Sequence, residues 1–242
     1  MKANDFFKEL NLENKALSIT LAKSGTTPEN PRERGCSMKL LNRAVNGEAI
    51  CFNQQSLSCP GAARGMGFFD GCPQIKGGFG YFISYGAGEG FPEGERMKNT
   101  PETAMEMLQN QPVDVLGGYD FIIVKPYEEQ DNASLVSFLA EPDQLSGLIQ
   151  LFSYRTGAYD NIIAPMCSGC ASVFRIPLGE LKRENPRAVI GSIDSFSRVH
   201  FDKNTFFFTI PAKSFHEMLD DADNSFLIAS SWKGVKQRLL NS

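Results

Sequence analysis

Leu135-Val136-Ser137-Phe138-Leu139-Ala140-Glu141-Pro142-Asp143-Gln144-Leu145-Ser146-Gly147-Leu148-Ile149-Gln150-Leu151-Phe152 reads as a strand running directly into a helix. The first six residues form a short apolar run. Pro142 is suited to a first helical turn, and Leu145, Leu148, Ile149 and Phe152 then recur at helical spacing. A second short strand, Asn161-Ile162-Ile163-Ala164, follows and leads to Cys167-Ser168-Gly169-Cys170. The upstream half reads in the same order. Leu17-Ser18-Ile19-Thr20-Leu21 alternates as a strand. Cys36, Leu40, Leu41, Ala44 and Val45 mark a helix that Gly47 can end, residues 49–53 form a strand, and Cys59-Pro60-Gly61 opens a turn. Strand, helix, glycine, strand and Cys-x-Gly thus occur twice. This suggests repeat halves at 17–70 and 135–180, related by a pseudo-twofold axis that would bring Cys59 near Cys167 and Cys170. A proline loop at 26–32 interrupts the first pass.

Around these halves, Asn4-Asp5 is expected to cap a first helix, and Thr100-Pro101-Glu102 to start another. The glycine tract 71–94 carries Phe79, Tyr81, Phe82, Tyr85 and Phe91, and reads as an ordered loop containing a short strand. Strands are expected at 119–126, 188–192 and 205–210, and helices from Pro211 and over 231–240. The whole chain, 1–242, is expected to form a single α+β domain with a mixed or antiparallel sheet and flanking helices.

The net charge is -4, and no basic cluster exceeds Lys182-Arg183, which argues against nucleic acid as the main partner. No stretch approaches the eighteen apolar residues of a membrane span, and Met1-Lys2-Ala3-Asn4-Asp5 lacks the order of a signal peptide. The expected compartment is the cytoplasm, where six cysteines should be mostly reduced rather than paired in three disulfides, and a cysteine cluster points to metal or redox chemistry.

Cys36, Cys59, Cys167 and Cys170 are the candidate ligands. Thiolates donate to soft metals, and Gly169 between two of them permits backbone shapes that a larger residue resists. One Cys-x-x-Cys and two single cysteines lean towards an iron–sulfur cluster rather than zinc, whose structural sites more often pair two such knuckles. Inert, packed thiols are the bland alternative. A dithiol redox enzyme using Cys167 and Cys170 is weaker, because Val173-Phe174-Arg175-Ile176-Pro177 is expected to halt any helix there within two turns. A metal-free protein that binds a small anionic ligand is the other alternative. Its cleft would lie under the 77–94 loop, with Arg198 and Arg64 holding the anion and His200 beside Arg198 on an extended segment.

Cys51, between Ile50 and Phe52, reads as core. Cys72 is a reserve ligand or a small turn residue, and His216 a helix-surface residue. Two histidines cannot make a paired-histidine metal site. The Gly-x-Gly patterns at 65–67, 78–80 and 86–88 lack the strand, helix and acid of a dinucleotide fingerprint. The paired acids Glu128-Glu129 and Asp220-Asp221 read as solvated faces, and the tract 89–95 as a flexible acidic loop rather than a metal cage.

The run Cys36-Ser37-Met38-Lys39-Leu40-Leu41-Asn42-Arg43-Ala44-Val45-Asn46-Gly47-Glu48, followed by Ser58-Cys59-Pro60-Gly61-Ala62-Ala63-Arg64-Gly65-Met66-Gly67, resembles the domain-of-unknown-function family numbered 169, an archaeal and bacterial family. Met166-Cys167-Ser168-Gly169-Cys170, Ser197-Arg198 and Phe206-Phe207-Phe208-Thr209-Ile210-Pro211 extend the resemblance over roughly residues 5 to 240. It implies one compact α+β domain and makes Cys36 and Cys59 part of a family pattern. It assigns no activity, substrate, redox partner or oligomeric state.

Overall fold

A computed structural model describes residues 1–13, 15–24, 35–86 and 93–240. The proline loop at 26–32, Phe91 and most of the acidic tract lie outside the described residues. The sheet has seven strands among those residues: β1 (Ala16–Ala22), β2 (Ile50–Phe52), β3 (Phe121–Pro126), β4 (Leu135–Ala140), β5 (Ile162–Ile163), β6 (Ala188–Gly191) and β7 (Phe206–Pro211). Their order is β2-β3-β1-β4-β7-β6-β5. Every neighbouring pair is antiparallel except β5 with β6, so the sheet is mixed.

β4 is buried along its whole length because both faces of the sheet are covered. Val136, Phe138 and Ala140 point into one apolar layer with Phe208 and Ile210. That layer is closed by α1 (Ala3–Glu9), α6 (Pro142–Phe152), α9 (Ala212–Ala222) and α10 (Ser230–Leu240). Leu135 and Leu139 point the other way, into a layer with Leu17, Ile19, Ile122, Val124 and Phe207. The second layer is closed by α2 (Ser37–Val45), α3 (Pro60–Gly65) and a helix that begins at Gly169 and ends in α7 (Ile176–Glu180). On the same face as Leu135 and Leu139, Ser137 and Thr209 face each other on paired strands, their hydroxyls 2.7 Å apart, so two buried polar groups satisfy one another.

β1 and β4 are the antiparallel central pair, and each is followed by a helix, an outer strand and a short helix at a cysteine.

Several local expectations change. Lys2, not Asn4 or Asp5, occupies the cap position of α1, and those two residues lie inside its first turn. The aromatic glycine tract forms a helix, α4 (Phe79–Ile83), instead of a strand. Its aromatics pack with Met105 and Leu108 of α5 (Pro101–Gln109), so tertiary contact overrides the β tendency of Phe and Tyr. Thr100 does cap α5, its Oγ1 accepting from the Thr103 amide at 3.2 Å.

Pro177 does not halt the Cys-x-x-Cys helix. Residues Ala171–Arg175 form a π-helical turn, in which the Ile176 amide donates to the Ala171 carbonyl, and α7 continues from it through Pro177. The extra residue in the wider turn accommodates a ring that lacks an N–H and would crowd the preceding turn.

Candidate thiol site

Cys36 and Cys59 occupy the cap positions of α2 and α3. The segments leading into these helices are tied together by a parallel bridge between Gly35 and Leu57. The Gly35 amide donates to the Ser56 carbonyl at 3.3 Å, and the Ser58 amide to the Gly35 carbonyl at 3.3 Å. Two cysteines 23 positions apart in the chain thereby begin neighbouring helices.

Cys170 comes up against the same pair of helices. A Cβ added to Gly65, at the end of α3, would lie 2.3 Å from Cys170 Sγ and 3.3 Å from Cys170 Cβ. Only glycine permits this approach. We expect Gly65→Ala to destabilise the protein by about 1–3 kcal/mol. Because the sulfur is the worst contact, Cys170→Ala should relieve part of that loss. A double-mutant cycle by urea denaturation reads the relief, and strictly additive costs would contradict it.

Cys170 and Cys167 are both buried, whereas Cys59 is exposed. Ser168 Oγ lies 3.3 Å from Cys170 Sγ, and the Cys167 thiol donates to the Pro165 carbonyl at 3.6 Å. Burial pushes Cys170 up to about 11, with smaller upward effects from Cys59 and Asp194 and downward ones from Ser168 and Ser37. Burial likewise pushes Cys167 up to about 12, helped by Cys170 and Asp194 and opposed by Lys98. Cys59, Cys167, Cys170 and Asp194 therefore share one electrostatic environment. Ser37, next to Cys36, is fully buried.

These raised thiol values have a consequence for metal-free protein. A thiol that titrates higher when folded than when unfolded stabilises the fold below the unfolded value of about 8.5. That stability is lost as pH rises through the folded values of about 11 and about 12. Metal-free protein should lose about 1.4 kcal/mol per pH unit for each thiol within this window. Urea midpoints at several alkaline pH values measure this, and Cys167→Ala with Cys170→Ala should flatten the slope.

Asp194, Ser37, Lys98 and Arg175 were not among the candidates read from the sequence. Asp194 caps the short helix α8 (Ser195–Arg198), its Oδ2 accepting from the Ser197 amide at 3.1 Å and its Oδ1 from Ser197 Oγ at 2.8 Å. The Asp-x-x-Ser spacing was a readable capping signal. Its placement beside the thiols depends on Ser192, at φ 63°, whose amide donates to Ser172 Oγ at 3.0 Å. A Cβ on Gly169 would lie 2.4 Å from Ser197 Cβ, so this glycine lets the Cys-x-x-Cys meet α8.

The other candidates are placed differently. Ser197-Arg198 lies in a helical turn instead of an extended segment. Arg198 donates to the carbonyls of Asp202 at 3.2 Å, Lys203 at 2.7 Å and Thr205, and stacks on Phe206 at 4.6 Å. Arg64 is buried and donates to Gln111 Oε1 and, at 2.6 Å, to the Leu108 carbonyl. Both arginines thus hold backbone in place. His200 Nε2 stands 4.0 Å from Cys36 Sγ, a pairing of two candidates that spacing did not suggest. Cys72 packs near Met105, 4.0 Å from its sulfur, and Cys51 is half-buried in β2. Among the described residues, no three His, Cys, Asp or Glu side chains are grouped to hold a metal ion, and no helix is long and apolar enough to cross a membrane.

Fold and site together define a mixed-sheet α+β protein in which Cys170 packs against the end of α3, the helix that Cys59 caps. The chain belongs to the DUF169 family, described as uncharacterised ArCR, whose model matches residues 6–221. No curated protein and no solved structure matches it.

Proposed function

We propose that the protein holds an iron–sulfur cluster through Cys36, Cys59, Cys167 and Cys170, for electron transfer or for activation of a small molecule at an open iron position. The observation that carries this reading is the Gly35–Leu57 bridge, which ties together the segments leading into two cysteine-capped helices, one of which, α3, meets Cys170 at Gly65. Buried thiols next to the Asp194 carboxylate favour the proton-bound state. A cationic centre reverses that preference, since it supplies the positive charge that thiolates need. A cluster suits the arrangement better than a single ion. One ion requires its sulfurs within about 2.3 Å of itself. A cluster places its thiolates on different irons, so they stand farther apart. The π-helical turn directly after Cys170 is a second pointer, since such turns recur at functional sites.

The dithiol reading loses support from the same chemistry, because thiols that titrate near 11 and 12 are poor nucleophiles. Anaerobic purification tests the proposal. Brown protein with iron and acid-labile sulfide supports it. Protein that stays colourless and free of iron after anaerobic reconstitution sinks it.

A further inference from the structure

A cleft of about 360 Å³ opens beside Cys167, between α5 and the start of the Cys-x-x-Cys helix. Its wall is mostly apolar, with Met107, Met166 and Ile176 among the lining residues. Lys98 also lines it, and this half-buried ammonium makes no ion pair among the described residues. It is close enough to Cys167 to pull that thiol's pKa down against burial. A second charged residue on the wall, Glu106, is exposed. Small-molecule sites commonly combine an apolar wall with a few placed polar groups in this way.

We infer that this cleft binds a small monoanion with an apolar body, a monocarboxylate, whose charged end meets Lys98 and whose body lies against the methionines. An ammonium without a carboxylate partner supplies the charge-assisted hydrogen bond. The Glu106 carboxylate repels a second negative charge, which selects monocarboxylates over phosphate. The site places its ligand next to Cys167 whether or not a cluster is bound.

Isothermal titration of the full chain with benzoate, benzamide and inorganic phosphate tests this, using both anaerobically purified and chelator-treated protein. Benzoate should bind both preparations, and benzamide and phosphate at least about tenfold more weakly. Lys98→Gln should weaken benzoate by about tenfold, whereas Lys39→Gln, on the exposed side of α2, should leave it unchanged. Equal binding of benzoate and benzamide, an unaltered Lys98→Gln variant, or no benzoate binding in either preparation would overturn the inference. Benzoate binding by protein that cannot be loaded with iron would refute the cluster and leave the cleft standing.

Discussion

Arg175→Ala is expected to cost about 3–5 kcal/mol. The Arg175 guanidinium is completely buried. Its Nε donates to the Pro112 carbonyl at 2.8 Å, Nη1 to the carbonyls of Arg64 at 2.7 Å and Phe69 at 3.2 Å, and Nη2 to Asp70. One side chain thereby ties the π-helical turn to the end of α3, to the 69–70 loop and to the segment after α5. Truncation leaves three carbonyls without this partner and opens a cavity in the layer that carries the thiols. A domain stable by about 5–15 kcal/mol would become marginal, with a fall in Tm on the order of 10 °C. Urea and thermal denaturation measure the loss. Arg175→Lys should recover less than half of it, since one ammonium cannot span the fork of acceptors. A loss below about 1 kcal/mol for Arg175→Ala would show that the guanidinium is not holding these segments together.

Cys59→Ser should have the largest functional effect with little effect on folding. Cys59 is exposed, so the metal-free variant should unfold within about 0.5 kcal/mol of the parent. If the four thiols hold a cluster, losing this ligand should weaken iron binding by more than about tenfold and bleach the visible charge-transfer absorption. Cys51→Ser and Cys72→Ser are the controls. The first lies in β2, and the second packs near Met105. Both should keep iron and sulfide. Retention of full iron by Cys59→Ser alongside these controls would remove Cys59 from the site. Loss in Cys72→Ser instead would make Cys72 the ligand and Cys59 a surface residue.

The period-2 run at Leu17–Leu21 and the apolar run at Leu135–Ala140 were sufficient to locate the two central strands. Pro101 and Pro142 located two helix starts, and Gly47, at φ 101°, ended a third helix where expected. These are local preferences, legible without knowing what lies opposite. Local reading failed where a neighbour decided the outcome. Phe79–Ile83 is helical because α5 offers it an apolar surface, and Pro177 stays within a helix because the turn before it widens. Arg198 and Arg64 looked like free cations in the sequence, but nearby carbonyls occupy both.

By itself the sequence determined the fold class, the central strands, and the cysteines worth following. Composition, hydrophobic period, and proline and glycine placement are all properties of short stretches. Only the tertiary structure decided which of these residues meet. The Gly35–Leu57 bridge, the approach of Gly65 to Cys170 and the stationing of Asp194 beside the thiols each join segments far apart in the chain. Such meetings depend on the strand order and on how closely a glycine lets two helices approach, and no local pattern encodes either.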